Sequence, residues 1–276
     1  MKTIIKLIFT ALVVLFFSSC AITPRLQVYY QVYKAQPTEK VINKGNSLVY
    51  EDDACMIIYN FWGVGGDMGF QFFNKSESDI FLDLEKSFYV LNGVSYDYFK
   101  NRTYSYSTTK GSTSTRTSSS MTNLNNSDYI QNIGSNSNSV STFEKKIICI
   151  PSKTSKFINE YKVTESFYLD CGLYKYPTSK QVRSKTYNRI ESPFVFSNRI
   201  TYSIGDSKDL IRFENEFYIS EITNYPSSEM VGTTYEETCG QKSINTNSYF
   251  KISSADMFYN KYFKTGNDYS INYFRR

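Results

Sequence analysis

Apolar and polar side chains alternate along much of the chain after residue 25, with the period of two that predicts β-strands. The alternation begins at Leu26 with LQVYYQVYKA, and a more buried strand is predicted over ACMIIYNFW. Glycines in GVGGDMG predict a hairpin loop or bulge before the next strand, and Asn92-Gly93 predicts a tight turn. Further strands are predicted over FQFFNKS, DIFLDL, SFYVLNGVSYDYF, FEKKIICIPSKTSKFINEY, SPFVFSNRITYSIGD, LIRFENEFYISEITNY and SINTNSYFKISS.

The order of these elements predicts an all-β, antiparallel sandwich. Short strands separated by turn signals, without alternating helices, are typical of that architecture. An aromatic content of 17%, with 25 Tyr and 21 Phe, favours strands over helices because aromatic rings pack well on a pleated surface. One short C-terminal helix is predicted over SADMFYNKYF at 254–263, with Ser254 as its N-cap and Met257, Tyr262 and Phe263 sharing much of one face.

The strand pattern also resembles a known class of domain. The succession FQFFNKS, IFLDL, FYVLNG and IICIPSKTSKFI is similar to immunoglobulin-like domains in uncharacterised envelope lipoproteins of Bacteroidetes. The resemblance covers roughly half of the chain after the leader and rests on pattern, so it implies an elaborated immunoglobulin-like sandwich and no particular function.

Residues 26–276 are expected to form one sandwich domain with a long insertion. The insertion covers about 101–142, is rich in Ser, Thr and Asn, and has too few apolar residues to offset the entropy of ordering. We therefore expect a mobile segment with a hairpin at its base. The motif Phe-x-Phe-x-Asn occurs at 70–74 and at 194–198, which leaves open a split into two sandwich units near residue 165. Alternatively, such patterns recur in any all-β chain.

The N-terminus carries an export signal. Lys2 and Lys6 precede the apolar run LIFTALVVLFF, which covers roughly 17 Å as a helix and is too short to cross a bilayer core of about 30 Å. Ser18 and Ser19 then lead directly into Cys20. This arrangement resembles a bacterial lipoprotein signal, which implies cleavage before Cys20 and acylation of that residue by groups such as palmitate. Residues 1–19 would be the leader and residues 20–25 a lipidated tether.

An ordinary secretory leader and an uncleaved anchor are the alternatives, since Phe17 stands where the lipoprotein class favours Leu. Ala21 is not the Asp that retains such proteins at an inner membrane, and AITPRL lacks the acidic cluster of a surface-export tag. The expected location is therefore the outer membrane, with the periplasmic face favoured over the cell surface.

The amino-acid composition excludes several classes of partner and catalytic site. The formal net charge of +5 falls to about +3 without Lys2 and Lys6, and the remaining cations are scattered, so no nucleic-acid partner is expected. The chain contains no histidine, which excludes Ser-His-Asp triads, Cys-His dyads and His-ligated metals. No catalytic residue, metal ligand or cofactor is predicted.

Acidic pairs and Trp62 are the remaining candidates. The acidic pairs are Asp52 with Asp53, Glu214 with Glu216, and Glu236 with Glu237. A glycosidase needs two carboxyl groups across a cleft, so these pairs are interpreted as solvated surface. Trp62 is a weak candidate for stacking on a sugar ring, and the favoured interpretation is that it plugs one end of the sandwich.

Four cysteines follow Cys20: Cys55, Cys149, Cys171 and Cys239. They allow three full pairings, and at most one disulfide is expected. Cys149 lies in the apolar run KIICIPSK and is interpreted as a small core residue.

These observations predict a lipid-anchored envelope protein with a non-enzymatic binding or scaffolding role. Its partners would be the membrane, through the lipid, and an envelope protein or a glycan. The alternatives are a glycan-binding accessory lipoprotein and a carboxylate-dependent hydrolase.

Overall fold

A computed structural model describes residues 26–109 and 137–264. The predicted leader, the tether with Cys20 and the centre of the insertion lie outside the described residues. Within the two described ranges, no helix combines the length and apolar content that crossing a bilayer requires.

The regular secondary structure of the described residues is almost entirely β. One short helix, α1, covers Ser227–Met230, and one 3₁₀ turn covers Ser179–Gln181. The strands are β1 Gln27–Pro37, β2 Val41–Lys44, β3 Ser47–Glu51, β4 Cys55–Tyr59, β5 Phe70–Asn74, β6 Ile80–Asp83, β7 Phe88–Leu91, β8 Val94–Asp97, β9 Thr103–Thr109, β10 Ser137–Phe143, β11 Ile147–Ile150, β12 Ser155–Ile158, β13 Ser184–Thr186, β14 Val195–Ile204, β15 Ile211–Pro226, β16 Val231–Thr238, β17 Gln241–Phe250 and β18 Met257–Lys264.

Two antiparallel sheets form the sandwich. A nine-stranded sheet follows the order β11-β6-β14-β15-β1-β18, with β7 paired to β14, β8 to β7, and β13 to β15. A five-stranded sheet follows the order β12-β5-β4-β3-β2. The hairpins β9–β10 and β16–β17 each form a separate two-stranded sheet. The prediction of an all-β, antiparallel sandwich is therefore confirmed, while the finer immunoglobulin-like assignment stays a prediction.

The main core lies between the two sheets and is dominated by aromatic rings. Phe61 is fully buried in the loop after β4, and its ring is perpendicular to that of Phe217 at a centroid distance of 4.9 Å. Phe217 also stacks on Phe196 of β14 at 5.7 Å. Each buried aromatic side chain removes about 150–250 Å² from water, so this cluster supplies much of the stabilisation.

A second, smaller core lies on the other face of β1. Tyr33 and Ala35 face the main core, whereas Tyr30 and Val32 pack with Met230 of α1. β1 is therefore paired along both edges, by β15 and β18, and packed on both faces, by the two cores.

A row of buried amide side chains fixes an irregular segment over the nine-stranded sheet. Gln31 lies opposite Asn224 of β15 on one side and Asn260 of β18 on the other. Gln31 Nε2 donates to the carbonyl of Tyr168 at 2.8 Å, and Asn224 Nδ2 donates to that of Tyr174 at 2.9 Å. Asn260 Nδ2 donates to two carbonyls of the same segment at 3.0 and 3.1 Å. These bonds satisfy backbone groups that no strand pairs in the segment between β12 and β13.

The predicted C-terminal helix is wrong, because this segment forms β18 instead. Its side chains alternate, with Phe258 and Asn260 buried and Lys261 exposed, and the strand pairs with β1 along its whole length. Aromatic residues at a spacing that would form one face of a helix are equally compatible with a strand. Pairing with β1 selects the strand here.

Two predicted turns are confirmed. Asn92 and Gly93 have φ angles of +49° and +82°, the left-handed conformations that a two-residue hairpin requires, and they join β7 to β8. The base of the insertion is the predicted hairpin, in which Thr103 lies opposite Phe143 and Thr109 opposite Ser137.

Candidate functional site

The candidate site is a groove at one open side of the sandwich. β11 ends the nine-stranded sheet and β12 ends the five-stranded sheet, and the two strands follow each other in the chain. Between them and the base of the β9–β10 hairpin lies a groove of about 580 Å³, which we call the edge groove. Its lining comprises Leu84, Tyr98, Arg102, Tyr104, Phe143, Glu144, Lys145, Ile147, Ile148, Cys149, Lys156, Phe157, Ile158, Asn159 and Glu160.

The edge groove exposes large apolar side chains. Phe143 is 78% exposed, Phe157 is 63% exposed and Ile147 is 52% exposed. Neither strand has a described neighbour on its outer side, so no described strand pairs the backbone groups there. The pleat turns alternate side chains, such as Ile147 and Phe157, to the solvent face of each sheet. Exposed apolar residues grouped along unpaired strand edges are typical of binding surfaces.

A charge network closes one end of the groove. Arg102 donates to Glu144 Oε1 from Nη2 at 2.5 Å and from Nε at 3.2 Å. Glu144 Oε2 accepts the backbone N–H groups of Lys100 at 2.9 Å and Arg102 at 3.0 Å. These bonds fix the chain entering the β9–β10 hairpin to the chain leaving it.

Glu160 joins the same network from the segment after β12. Its Oε1 accepts Arg102 Nη1 at 2.9 Å and Lys100 Nζ at 2.6 Å, and its Oε2 accepts Arg102 Nη2 at 2.9 Å. Lys100 also lies over the ring of Tyr161 at 4.5 Å. Two carboxylates and two cations thus form a neutral cluster beneath the hairpin.

The electrostatics of this cluster favour ionised carboxylates. Burial alone would raise the pKa values of Glu144 and Glu160, but the hydrogen bonds from Arg102 outweigh it and hold both below their usual range. The two backbone amides contribute further at Glu144. A general acid needs a carboxyl group that stays protonated near neutral pH, and neither of these groups fits that requirement.

The remaining charge of the groove is positive. Lys145 and Lys156 line it and take part in none of the ion pairs formed within the described residues. The edge groove therefore combines apolar side chains with two free lysines.

Cys149 is not the core residue that the sequence predicted. It is exposed on β11, whereas Ile150 beside it is fully buried. The apolar run does form a strand, but at the edge of the sheet, where alternation turns Cys149 outwards. Its thiol lies 3.6 Å from Asp79 Oδ2, and its pKa is raised by desolvation and by that carboxylate.

The other described cysteines are also free thiols. Cys55 is fully buried, while Cys171 and Cys239 are exposed. The described residues contain no cluster of His, Cys, Asp and Glu able to hold a metal ion.

Trp62 lies far from the edge groove, in the smaller core beneath the β16–β17 hairpin. Its ring centroid is 5.2 Å from those of both Phe250 and Tyr259. The side chain is half-buried, so these two rings occupy much of the surface that a sugar would need.

The predicted acidic pairs serve other roles. Asp52 accepts the backbone N–H groups of Ala54 and Cys55 at 2.8 and 2.7 Å and so shapes the β3–β4 turn. Glu214 pairs with Arg199 at 3.0 Å. Glu216 accepts two bonds from a different arginine, Arg189, at 2.7 and 2.9 Å. Asp53 and Glu237 are exposed and Glu236 is half-buried.

The acidic pair that the fold does bring together is Glu144 and Glu160, which the sequence analysis missed. The two residues flank β11 and β12, and they meet only because those strands occupy matching edges of the two sheets. No local motif carried this signal.

Comparison with known proteins gives no relative: no family model, no curated protein and no solved structure matches this chain. The function must therefore be argued from the residues and geometry described above.

Proposed function

We propose that the protein is a lipid-anchored component of a bacterial outer membrane that binds a protein partner through the edge groove and catalyses no reaction. The anchor is the acyl-modified Cys20, on the periplasmic face. The observation that carries the binding role is the pair of unpaired strand edges, β11 and β12, beside exposed Phe157 and Ile147.

The chemistry of the groove favours an extended polypeptide segment as its occupant. An added strand gains main-chain hydrogen bonds from a free sheet edge and specificity from pockets for alternate side chains. β11 and β12 each offer four residues of edge, which matches a short segment. Lys145 and Lys156 favour acidic residues beside the apolar ones in that segment.

The glycan-binding alternative has weaker support. Sugar recognition needs an accessible aromatic face, and the ring of Trp62 packs against Phe250 and Tyr259. The hydrolase alternative is also weaker, because Arg102 neutralises the carboxylates that share the groove.

Site-specific photocrosslinking in living cells tests the binding role. A photoreactive side chain at Phe157 should capture one protein or a few, and the same group at Ile190, which is 92% exposed and does not line the groove, should not capture them. The captured protein, once purified, should bind the parent chain directly and bind the Ile147→Asp variant at least about tenfold more weakly. Equal binding by the parent and the variant would contradict the proposal.

Two further measurements test the anchor and the absence of catalysis. Mass spectrometry of the native protein should find an acylated N-terminus at Cys20, and an unmodified terminus or a retained leader would contradict the anchor. Substrate turnover that disappears on replacing Glu144 or Glu160, without loss of folding, would contradict the non-enzymatic role.

A further inference from the structure

A second surface lies at the end of the sandwich where the described chain begins. Gln27 is opposite Lys264 at this end of β1 and β18, and Tyr29 is opposite Tyr262. Tyr29, Tyr176 and Lys264 line a concavity of about 610 Å³ there. We define the basic patch as these three residues together with Tyr262, Lys175 and Lys261 at the same end.

Three packed tyrosine rings form the platform beneath the basic patch; Tyr29 is buried, and Tyr176 and Tyr262 are half-buried. Tyr29 and Tyr262 stack with centroids 5.7 Å apart, and Tyr176 lies 5.2 Å from Tyr29 and 6.0 Å from Tyr262. The hydroxyl of Tyr262 donates to the carbonyl of Lys175 at 2.5 Å, which fixes the backbone that carries this lysine.

Two lysines lie against the platform, and a third, Lys261, lies on the other face of the same end of β18. The Nζ atoms of Lys175 and Lys264 lie 5.0 and 5.5 Å from the ring centroid of Tyr176, and Lys261 lies 5.4 Å from that of Phe263. None of the three takes part in an ion pair with another described residue. The described residues that line the concavity include no aspartate or glutamate. Within the described residues the patch is therefore cationic, with no ion pair to compensate its lysines.

The position of the patch relates it to the proposed anchor. An extended chain spans at most about 3.3–3.6 Å per residue, so the stretch from Cys20 to Gln27 reaches roughly 25 Å. Acylation of Cys20 would hold this end of the body near the bilayer. Exposed Leu26 and Phe263 lie at the same end. Tyrosine and lysine side chains around exposed apolar residues are typical of surfaces that contact the headgroup region of a bilayer, where aromatic rings and cations both make favourable interactions.

We infer that the basic patch faces the bilayer and binds the headgroups of anionic phospholipids. This inference depends on the proposed function only for the acyl anchor that brings the patch to the membrane. A single acyl chain holds a protein marginally, and a cationic surface beside it adds the second signal that stable attachment needs. The patch would also orient the body, because it lies at one edge of the nine-stranded sheet and β11 lies at the other.

Vesicle flotation tests the inference on the mature chain with Cys20→Ser, which lacks any acyl group. Vesicles of phosphatidylcholine alone are compared with vesicles in which phosphatidylglycerol makes up a third of the lipid. The chain should float only with the anionic vesicles, and high salt should release it because screening weakens the attraction.

Charge variants identify the surface responsible. Each lysine near an anionic surface contributes about fivefold to binding, so replacing Lys175, Lys261 and Lys264 together by Gln should lower partitioning on the order of 100-fold. The matched control replaces Lys40, Lys208 and Lys242 by Gln, which changes the net charge equally at exposed positions outside both the patch and the edge groove. Circular dichroism verifies that both triple variants fold.

The outcomes separate this inference from the proposed function. Equal losses in the two triple variants, or no flotation of the parent chain with anionic vesicles, would overturn the inference even if native Cys20 is acylated. Selective loss in the patch variant would support it even if native Cys20 proves unmodified, in which case only the anchor would fail.

Discussion

Two phenylalanines in neighbouring strands of one sheet show how position decides the role of an apolar residue. Phe70 of β5 is fully buried between the sheets, whereas Phe157 of β12 is 63% exposed at the edge groove. Phe157 lies opposite exposed Gln71, on the outer face of the five-stranded sheet, whereas Phe70 lies opposite Ile158, on the face that packs against the core. The inner-face positions stabilise the fold, and the outer-face positions leave the same residue type available to another molecule.

The largest expected effect is in the interior. Phe217→Ala removes a fully buried ring that contacts Phe61 and Phe196, and it should lower the free energy of unfolding by about 3–5 kcal/mol. Urea denaturation followed by circular dichroism measures the change. A loss of less than about 1 kcal/mol would mean that the two sheets do not depend on this cluster.

The amide row should be the next most sensitive feature. Gln31→Leu leaves the backbone N–H and carbonyl of Tyr168 without their partner, and each unsatisfied buried group costs about 1–3 kcal/mol. Gln71→Leu is the control, because the side chain of Gln71 is exposed and donates to the hydroxyl of Ser155. Hydrogen exchange at Tyr168 should accelerate in the first variant and not in the second.

The charge network should contribute less, and its contribution should depend on pH. Because the pKa values of Glu144 and Glu160 are depressed in the folded state, the stability they provide is present above their unfolded pKa of about 4.3. This stability is lost as pH falls through the folded values. Arg102→Gln should therefore cost about 1 kcal/mol at neutral pH, and the difference from the parent should shrink in acid.

Unfolding curves at neutral pH and near pH 3 measure this dependence. Arg189→Gln provides the comparison, since Arg189 pairs with Glu216 on the exposed surface and should matter less. If the loss of unfolding free energy in Arg102→Gln is the same at both pH values, Arg102 contributes through packing and not through its charge.

The smallest effect on stability is expected at the groove itself. Phe157→Ala should change the free energy of unfolding by less than about 0.5 kcal/mol, because the ring is mostly exposed. The same variant should lose binding to the captured partner. A large loss of stability would place Phe157 with the interior residues and remove the contrast with Phe70.

The fold could be predicted largely because its signals are local. Alternation in DIFLDL places Ile80, Leu82 and Leu84 inwards, and all three are buried. Asn92-Gly93 needs no distant partner to form its turn. The segment 254–263 was mispredicted because its ring spacing is compatible with both states, and pairing with β1, remote in sequence, decides the outcome.

The candidate site could not be predicted for the same reason. The meeting of Glu144, Glu160 and Arg102 depends on which strands become sheet edges, and composition does not specify that. Likewise, nothing local marks Gln31 as a buried residue, since its partners come from β15, β18 and the segment that crosses them. The interpretation of Trp62 as a plug at one end of the sandwich stays a prediction; its ring packs against Phe250 and Tyr259 in the smaller core on the outer face of β1.

Trp62 gives this protein a built-in optical reporter. It is the only tryptophan in the chain, and it lies where the base of the β16–β17 hairpin packs against β18. Fluorescence excited at the red edge of the indole absorption band therefore comes from the contact between this hairpin and β18. The 25 tyrosines report on the rest of the molecule. Detachment of the hairpin can be followed by the emission wavelength and fluorescence lifetime of Trp62, separately from unfolding of the sandwich.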